Sequence, residues 1–178
     1  VPDDVLVMAK RIDDVISLDP AEVFEFTGAE VIANIYDRLV TFDVNDVSRL
    51  GGGAAASWDI SADGRTYRFT MRPGMRFSSG NQVTARDAAW SLQRVIHLGL
   101  SPAFILAQFG LTPANVEARV RAEDAMTLVI ETDRAYASTF LLYCLTAGVG
   151  SVIDRELVLA HEKDGDLGHQ WLKQASAG

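Results

Sequence analysis

Four groups of residues in this 178-residue chain have types that could do chemistry. His161, Glu162 and His169 are the kinds of side chain that hold zinc. The metalloprotease helix needs its histidines four apart on one face, whereas these two are separated by eight positions and by Gly165 and Gly168. They read as a solvated helix terminus. Asp13-Asp14 and Asp43 with Asp46 are paired carboxylates of the sort used in acid/base hydrolysis, but they fall on loops without a supporting histidine. Gly51-Gly52-Gly53 resembles a phosphate cradle and lacks the Lys-Ser/Thr that grips phosphate and Mg²⁺. Gly148-Val149-Gly150-Ser151 sets a serine among glycines in the wrong order for a nucleophile elbow. No catalytic residue, metal site or cofactor is expected. A carboxylate-based hydrolase stays open as a minor alternative.

The elements that would position any site are legible from periodicity. Ser57 to Ile60 and Thr66 to Met71 alternate polar with apolar residues and read as half-buried strands. Asp63-Gly64 between them supplies a reversing turn, and Pro73-Gly74 and Ser78-Ser79-Gly80-Asn81 give two more. Thr84 caps a helix through Leu98, with Asp87 in its first turn and Ala88, Leu92, Val95 and Ile96 as its apolar stripe. Gly99 ends that helix, and His97 near its end complements the dipole. Val5 to Ala9 reads as a buried strand, Glu30 to Arg38 as a helix and Leu39 to Phe42 as extended. Gly51 to Gly53 is expected to be a flexible connector, with Ala54 to Ala56 a helical turn. Ser101-Pro102 starts a short helix through Phe109. Val116–Val120 and Thr127–Ile130 form a hairpin around Glu123-Asp124. Ala137 to Leu142, Arg155 to Lys163 and Leu167 to Gln174 are further helices.

Composition bounds the function classes. Apolar residues make up 48% and charged residues 22%, as in an ordinary folded chain, and the length suffices for one proper core. The net charge of −8 argues against nucleic-acid or anionic-membrane surfaces, which need clustered Lys and Arg. Arg68, Arg72 and Arg76 are the nearest thing to a basic row and read as a solvated strand edge. No stretch approaches the roughly 20 apolar residues of a membrane span. Val1-Pro2-Asp3-Asp4 lacks a basic start and a hydrophobic segment, so no signal peptide is expected here. Cys144 is the single cysteine and reads as a small buried apolar residue. Trp58, Trp90 and Trp171 are expected to be half-buried packing, although an interaction or sensor domain presenting them remains an alternative.

The run from Ser57 to Arg94 resembles the signature region of the dipeptide/oligopeptide/nickel class (family 5) of extracytoplasmic solute-binding proteins that feed ABC transporters. The residues in register are Ser57-Trp58, Ser61, Asp63-Gly64, Thr66-Tyr67, Phe69, Arg72, Gly74, Phe77, Gly80, Val83-Thr84-Ala85, Asp87, Ser91 and Arg94. Upstream, Ser17-Leu18-Asp19-Pro20 and Asn34-Ile35-Tyr36-Asp37-Arg38-Leu39-Val40 look like two further family segments. Thr132 to Leu142 is similar more loosely and lacks the family's prolines.

The resemblance implies an α/β, periplasmic-binding-protein-like fold: a mixed β-sheet lobe with an inserted α+β domain. Residues 1–36 and 154–178 would belong to ligand-binding lobe I and residues 37–153 to the inserted domain. It implies the N-terminal portion of a larger two-lobed protein, its leader removed, with the second half of the pocket elsewhere. The implied role is capture of a small solute, with peptides foremost, outside the cytoplasmic membrane and delivery to an ABC permease without catalysis. Localisation would be periplasmic. The family's ligand-facing loop falls at Phe24-Glu25-Phe26-Thr27, where two rings give apolar walls and Glu25 is placed to pair an ammonium group. The second ligand contact of this half follows Ser101-Pro102, at Ala103 and Phe104. Phe24 and Phe26 are equally readable as ordinary core residues.

Overall fold

A computed structural model describes Val5, Val7, Ala9 and residues 11–178. In chain order the helices and strands are α1 (Phe26–Ile35), β1 (Val40–Phe42), β2 (Leu50–Gly52), β3 (Ala55–Ile60), β4 (Thr66–Met71) and α2 (Ala85–Leu98). They continue with α3 (Phe104–Ala107), α4 (Val116–Arg119), β5 (Val120–Ala122), β6 (Thr127–Glu131), α5 (Ser138–Cys144), α6 (Arg155–Ala160) and α7 (His169–Leu172). Short 3₁₀ turns at Ser101–Ala103 and Gly148–Gly150 precede α3 and follow α5.

The centre of the molecule is a four-stranded antiparallel sheet in the order β3-β4-β6-β5. The period of two in β4 sends Tyr67, Phe69 and Met71 into the core and leaves Arg68 and Thr70 outside. At the β3–β4 turn, Asp63 Oδ1 accepts from Ser61 Oγ and from the Arg65 N–H, and Gly64 takes a φ of 70°. A left-handed residue there is cheap only for glycine. Helix α2 covers the sheet beside β5 and β6. All four residues of its expected stripe are buried, and Ser91 and Arg94 are buried with them. Thr84 and Asp87 cap its start: the Asp87 carboxylate accepts from the Thr84 N–H at 2.9 Å and from its hydroxyl at 2.5 Å. Gly99 ends it in the left-handed conformation, φ 58°.

A smaller cluster lies apart from this core. Val23, Ile32 and Tyr36 pack with Ile153, Val158, Leu172 and Ala177, flanked by half-buried Trp90 and Trp171. It joins α1 near one end of the chain to α6 and α7 at the other. The second sheet, β1 with β2, is also antiparallel.

Several local expectations differ from the structure. Gly51 and Gly52 belong to a strand rather than a flexible connector, because β2 pairs with β1 across Val40↔Gly52 and Thr41↔Gly51. Ala55 pairs with Met71, so Ala55 and Ala56 belong to β3 and Ala54 is a bend before it, with no helical turn. Val116 to Arg119 forms a helical turn. The Asn115 side chain bridges the Thr112 N–H and the Gly110 carbonyl there, and the Asn115 carbonyl accepts from Ala118 and Arg119. Val116 and Val120 are both fully buried, a spacing of four that serves a helical turn as well as a strand. Helix α1 starts at Phe26, earlier than Glu30, and stops at Ile35. Of the arginine row only Arg68 lies on a strand, and that strand, β4, is central rather than an edge. Arg68 pairs with Glu123, Arg72 donates to the Gly53 and Gly52 carbonyls, and Arg76 donates to the Gly80 carbonyl. Val5 and Val7 are exposed and outside any strand; an apolar run becomes a buried strand only where a neighbouring strand can pair with it. Leu6 and Met8 lie outside the described residues.

Candidate ligand-binding cleft

The loop leading into α1 is held by a buried ion pair. Asp19 and Arg94 meet through two hydrogen bonds, Nη1 to Oδ1 at 2.8 Å and Nη2 to Oδ2 at 2.6 Å, with both side chains almost wholly out of solvent. Asp19 Oδ1 also accepts from the Ala21 N–H, and His169 Nδ1 donates to Oδ2 at 2.9 Å. Burial alone would raise the Asp19 carboxyl; Arg94 and His169 outweigh it and hold it below its ordinary value. His169 is therefore not a solvated terminus: its side chain is 13% exposed and locks α7 onto the Asp19 loop. His161 lies elsewhere, stacked on Trp171 with ring centroids 4.2 Å apart. His97 pairs with Glu117.

From this anchored loop the chain turns out at Phe24-Glu25-Phe26. Phe24 is 58% exposed and Phe26 95%, so neither is a core residue. Phe24 meets Phe104 edge to face, with centroids 5.7 Å apart and planes at 84°. The two expected segments, distant in sequence, thus touch through Phe24 and Phe104. Between them lies a cleft of about 540 Å³. Val23, Phe24, Phe26 and Ile32 line it together with Pro102 and Ile105 and with Ala147 to Val149. That volume is in the range of small-molecule sites, and the lining is predominantly apolar with few polar groups.

Glu25 lines the cleft, but its carboxylate folds back: Oε2 accepts from the Phe24 N–H at 3.0 Å, and Oε1 is buried without a hydrogen-bond partner. Gly28 leaves the space it occupies, since a Cβ there would stand 2.2 Å from Oε1. Thr27 is buried, takes a long hydrogen bond from its N–H to Asp14 Oδ2 at 3.4 Å, and faces a separate depression with Arg11 and Asp13. Ala103 is buried in the turn that presents Phe104.

Arg38, Ile32 and the Ala147–Val149 segment were not expected from sequence to line a cleft. Ile32 follows from the helical spacing of α1. Arg38 carries no local signal, because what distinguishes it is the missing acid beside it. Arg38 is half-buried and lines the cleft, and burial holds its pKa below the ordinary value. The carboxylates at Asp43 and Asp46 serve their own loop: Asp43 accepts from the Asn45 and Asp46 N–H groups, and Asp46 from Ser48. The Cys144 thiol is half-buried and pushed up by burial. No helix of the described residues is long and apolar enough to cross a membrane.

Comparison with known proteins places the chain. Residues 49–175 match the family model described as bacterial extracellular solute-binding proteins, family 5 Middle. The probable D,D-dipeptide-binding periplasmic protein DdpA of Escherichia coli K12 is 28% identical over 181 residues, covering all of this chain and 33% of that protein. The periplasmic murein peptide-binding protein MppA of the same organism is 32% identical over 133 residues, covering 68% of this chain and 24% of that one. Among solved structures, OppA of Burkholderia pseudomallei superposes with a TM-score of 0.73 at 24% identity, over 92% of this chain and 33% of that one. The substrate-binding domain of a Bacillus anthracis oligopeptide ABC transporter gives 0.72 at 23% identity, over 84% and 30%. The chain thus spans at most about a third of these relatives' length. With the family model matched across most of its residues, the chain belongs to the bacterial extracellular solute-binding proteins of family 5.

Proposed function

We propose that this chain supplies part of the solute-binding component of an ABC importer and that its solute is a small peptide. The carrying observation is the open apolar cleft between the Phe24-Glu25-Phe26 turn and the Phe104 turn. It holds exposed aromatic rings that no internal packing requires. Relatives named for binding D,D-dipeptides and murein peptides support the peptide reading. Phe24, Glu25, Phe26 and Phe104 would face the ligand, with Thr27 and Ala103 supporting them from beneath.

In this reading the protein captures its ligand without chemistry, outside the cytoplasmic membrane, and hands it to a membrane permease. Residues 1–36 and 154–178 would form part of one lobe and 37–153 an inserted domain. The small cluster that joins Val23, Ile32 and Tyr36 to Val158, Leu172 and Ala177 supports that division. Closure of a second lobe would seal the cleft in the complete protein.

The test is thermal unfolding of the chain against a panel of di- and tripeptides, followed by mass analysis of the recovered peptide. A ligand that binds only the folded state raises the midpoint by mass action. The expected result is a saturable rise with some peptides, each recovered intact. No rise with any peptide overturns the peptide assignment, and cleavage of a stabilising peptide overturns capture without chemistry.

A further inference from the structure

We infer that Arg38 is the anion-recognition group of this cleft, selecting ligands that carry a carboxylate next to an apolar group. The inference rests on the cleft being a ligand site and specifies what that site takes. Arg38 stands just beyond α1, and its backbone is fixed: its carbonyl accepts from the Ala54 N–H at 2.8 Å, and it bridges to Ser151. Arg38 lines both the apolar cleft and a smaller depression of about 120 Å³ beside Tyr36, Asp37 and Thr41. Among the described residues, its guanidinium makes no hydrogen bond and no ion pair. Neither Glu25 in the same cleft nor the adjacent Asp37 pairs with it.

That state contrasts with Arg94, the one fully buried arginine among the described residues, and is shared by half-buried Arg119, which keeps one guanidinium nitrogen unpaired but does not line the cleft. Arg94 has its carboxylate. Proteins pair cations that lose water because an uncompensated buried charge is costly. An apolar ligand closing over the cleft would strip more water from Arg38 and give nothing back. A ligand with a carboxylate restores the lost interactions, since the planar guanidinium matches two carboxylate oxygens at once. The walls then fix the rest of the ligand. Ile32, Ile105 and Val149 beside the exposed rings favour an aliphatic or aromatic group within a few bonds of the carboxylate. The same arrangement penalises peptides whose C-terminus is amidated.

The test uses nuclear magnetic resonance on the 178-residue chain, following the Arg38 side-chain Nε–H signal and the methyls of Ile32 and Val149. The Arg38 signal is assigned by its loss in Arg38→Met. The probes are N-acetyl-L-phenylalanine and N-acetyl-L-phenylalaninamide, which differ only in the carboxylate. The acid is expected to bind roughly tenfold to a hundredfold more tightly than the amide and to shift the Arg38 signal. Arg38→Met is expected to abolish that preference, and Arg38→Lys to retain part of it. Equal binding of acid and amide, with both shifting the methyls, overturns the role of Arg38 and leaves the cleft as a ligand site. No shift from either probe up to its solubility limit overturns the cleft and the role together. The acid–amide comparison on the unaltered protein needs no variant, so it stands even where Arg38→Met folds poorly.

Discussion

Asp19 and Arg94 lie 75 positions apart and meet through two parallel hydrogen bonds in the interior. The pair fastens the loop before the cleft to α2, and His169 adds α7 to the same carboxylate. Removing one partner strands the other charge away from water. Arg94→Met and Asp19→Ala are therefore each expected to cost about 3–5 kcal/mol of folding stability. Replacing both with apolar residues of matching volume is expected to cost much less than the sum of the two. Urea unfolding of the two single variants and the double variant checks this; an additive double variant would show that the pair does not act as a unit.

The same carboxylate sets a pH dependence. Asp19 is held below its unfolded value of about 3.9, so the unfolded chain binds its proton more readily. Its contribution is fully present above that unfolded value and is lost as pH falls through the lower folded pKa. The unfolding midpoint is therefore expected to drop on acidification below about pH 4. The drop should be shallower in Asp19→Asn, measured as the difference between the two proteins' pH profiles. Parallel profiles would mean that Asp19 is not held down in the folded state.

What the sequence made legible was local. The β3–β4 hairpin, its Gly64 turn and the Thr84–Asp87 cap each depend on residues within a few positions of one another, and all were read at their places. Errors arose where distant chain decides the outcome. The glycines at 51 and 52 look flexible in isolation and become a strand because β1 lies beside them. His169 looks like a surface residue until Asp19 arrives from 150 positions away. Phe24 and Phe26 are readable from sequence as core or as site, and their exposure in the fold removes the core reading. Arg38 shows the deeper limit: a missing partner is a property of the folded surroundings and leaves no mark in the local sequence.

The glycine run yields a paired prediction. A Cβ on Gly53 would stand 2.0 Å from the Arg38 carbonyl oxygen, a backbone atom that cannot step aside. On Gly51 the nearest atom would be 3.8 Å away, ordinary contact. Gly53→Ala is expected to destabilise by roughly 1–3 kcal/mol or more. Gly51→Ala is expected to be neutral or to stabilise by up to about 1 kcal/mol, because alanine restricts the unfolded chain more than glycine does. Denaturant midpoints of the two variants decide it. Equal costs would point to a connector whose glycines are interchangeable.

Exposed rings and core rings differ in a way that mutation can read. Phe26 is 95% exposed, and Phe24 touches Phe104 only by an edge, so little packing is lost when either is cut back. Phe24→Ala and Phe26→Ala are expected to change stability by no more than about 0.5–1 kcal/mol. Ile32 packs in the small cluster at 1% exposure, so Ile32→Ala is expected to cost about 2–5 kcal/mol. Binding should follow a different order. Each phenylalanine variant is expected to weaken a stabilising peptide by more than about 1 kcal/mol, because aromatic walls become buried only when the ligand closes over them. Calorimetric titration beside chemical unfolding compares the two orders directly. Variants that lose stability and keep full affinity would return Phe24 and Phe26 to the role of packing residues.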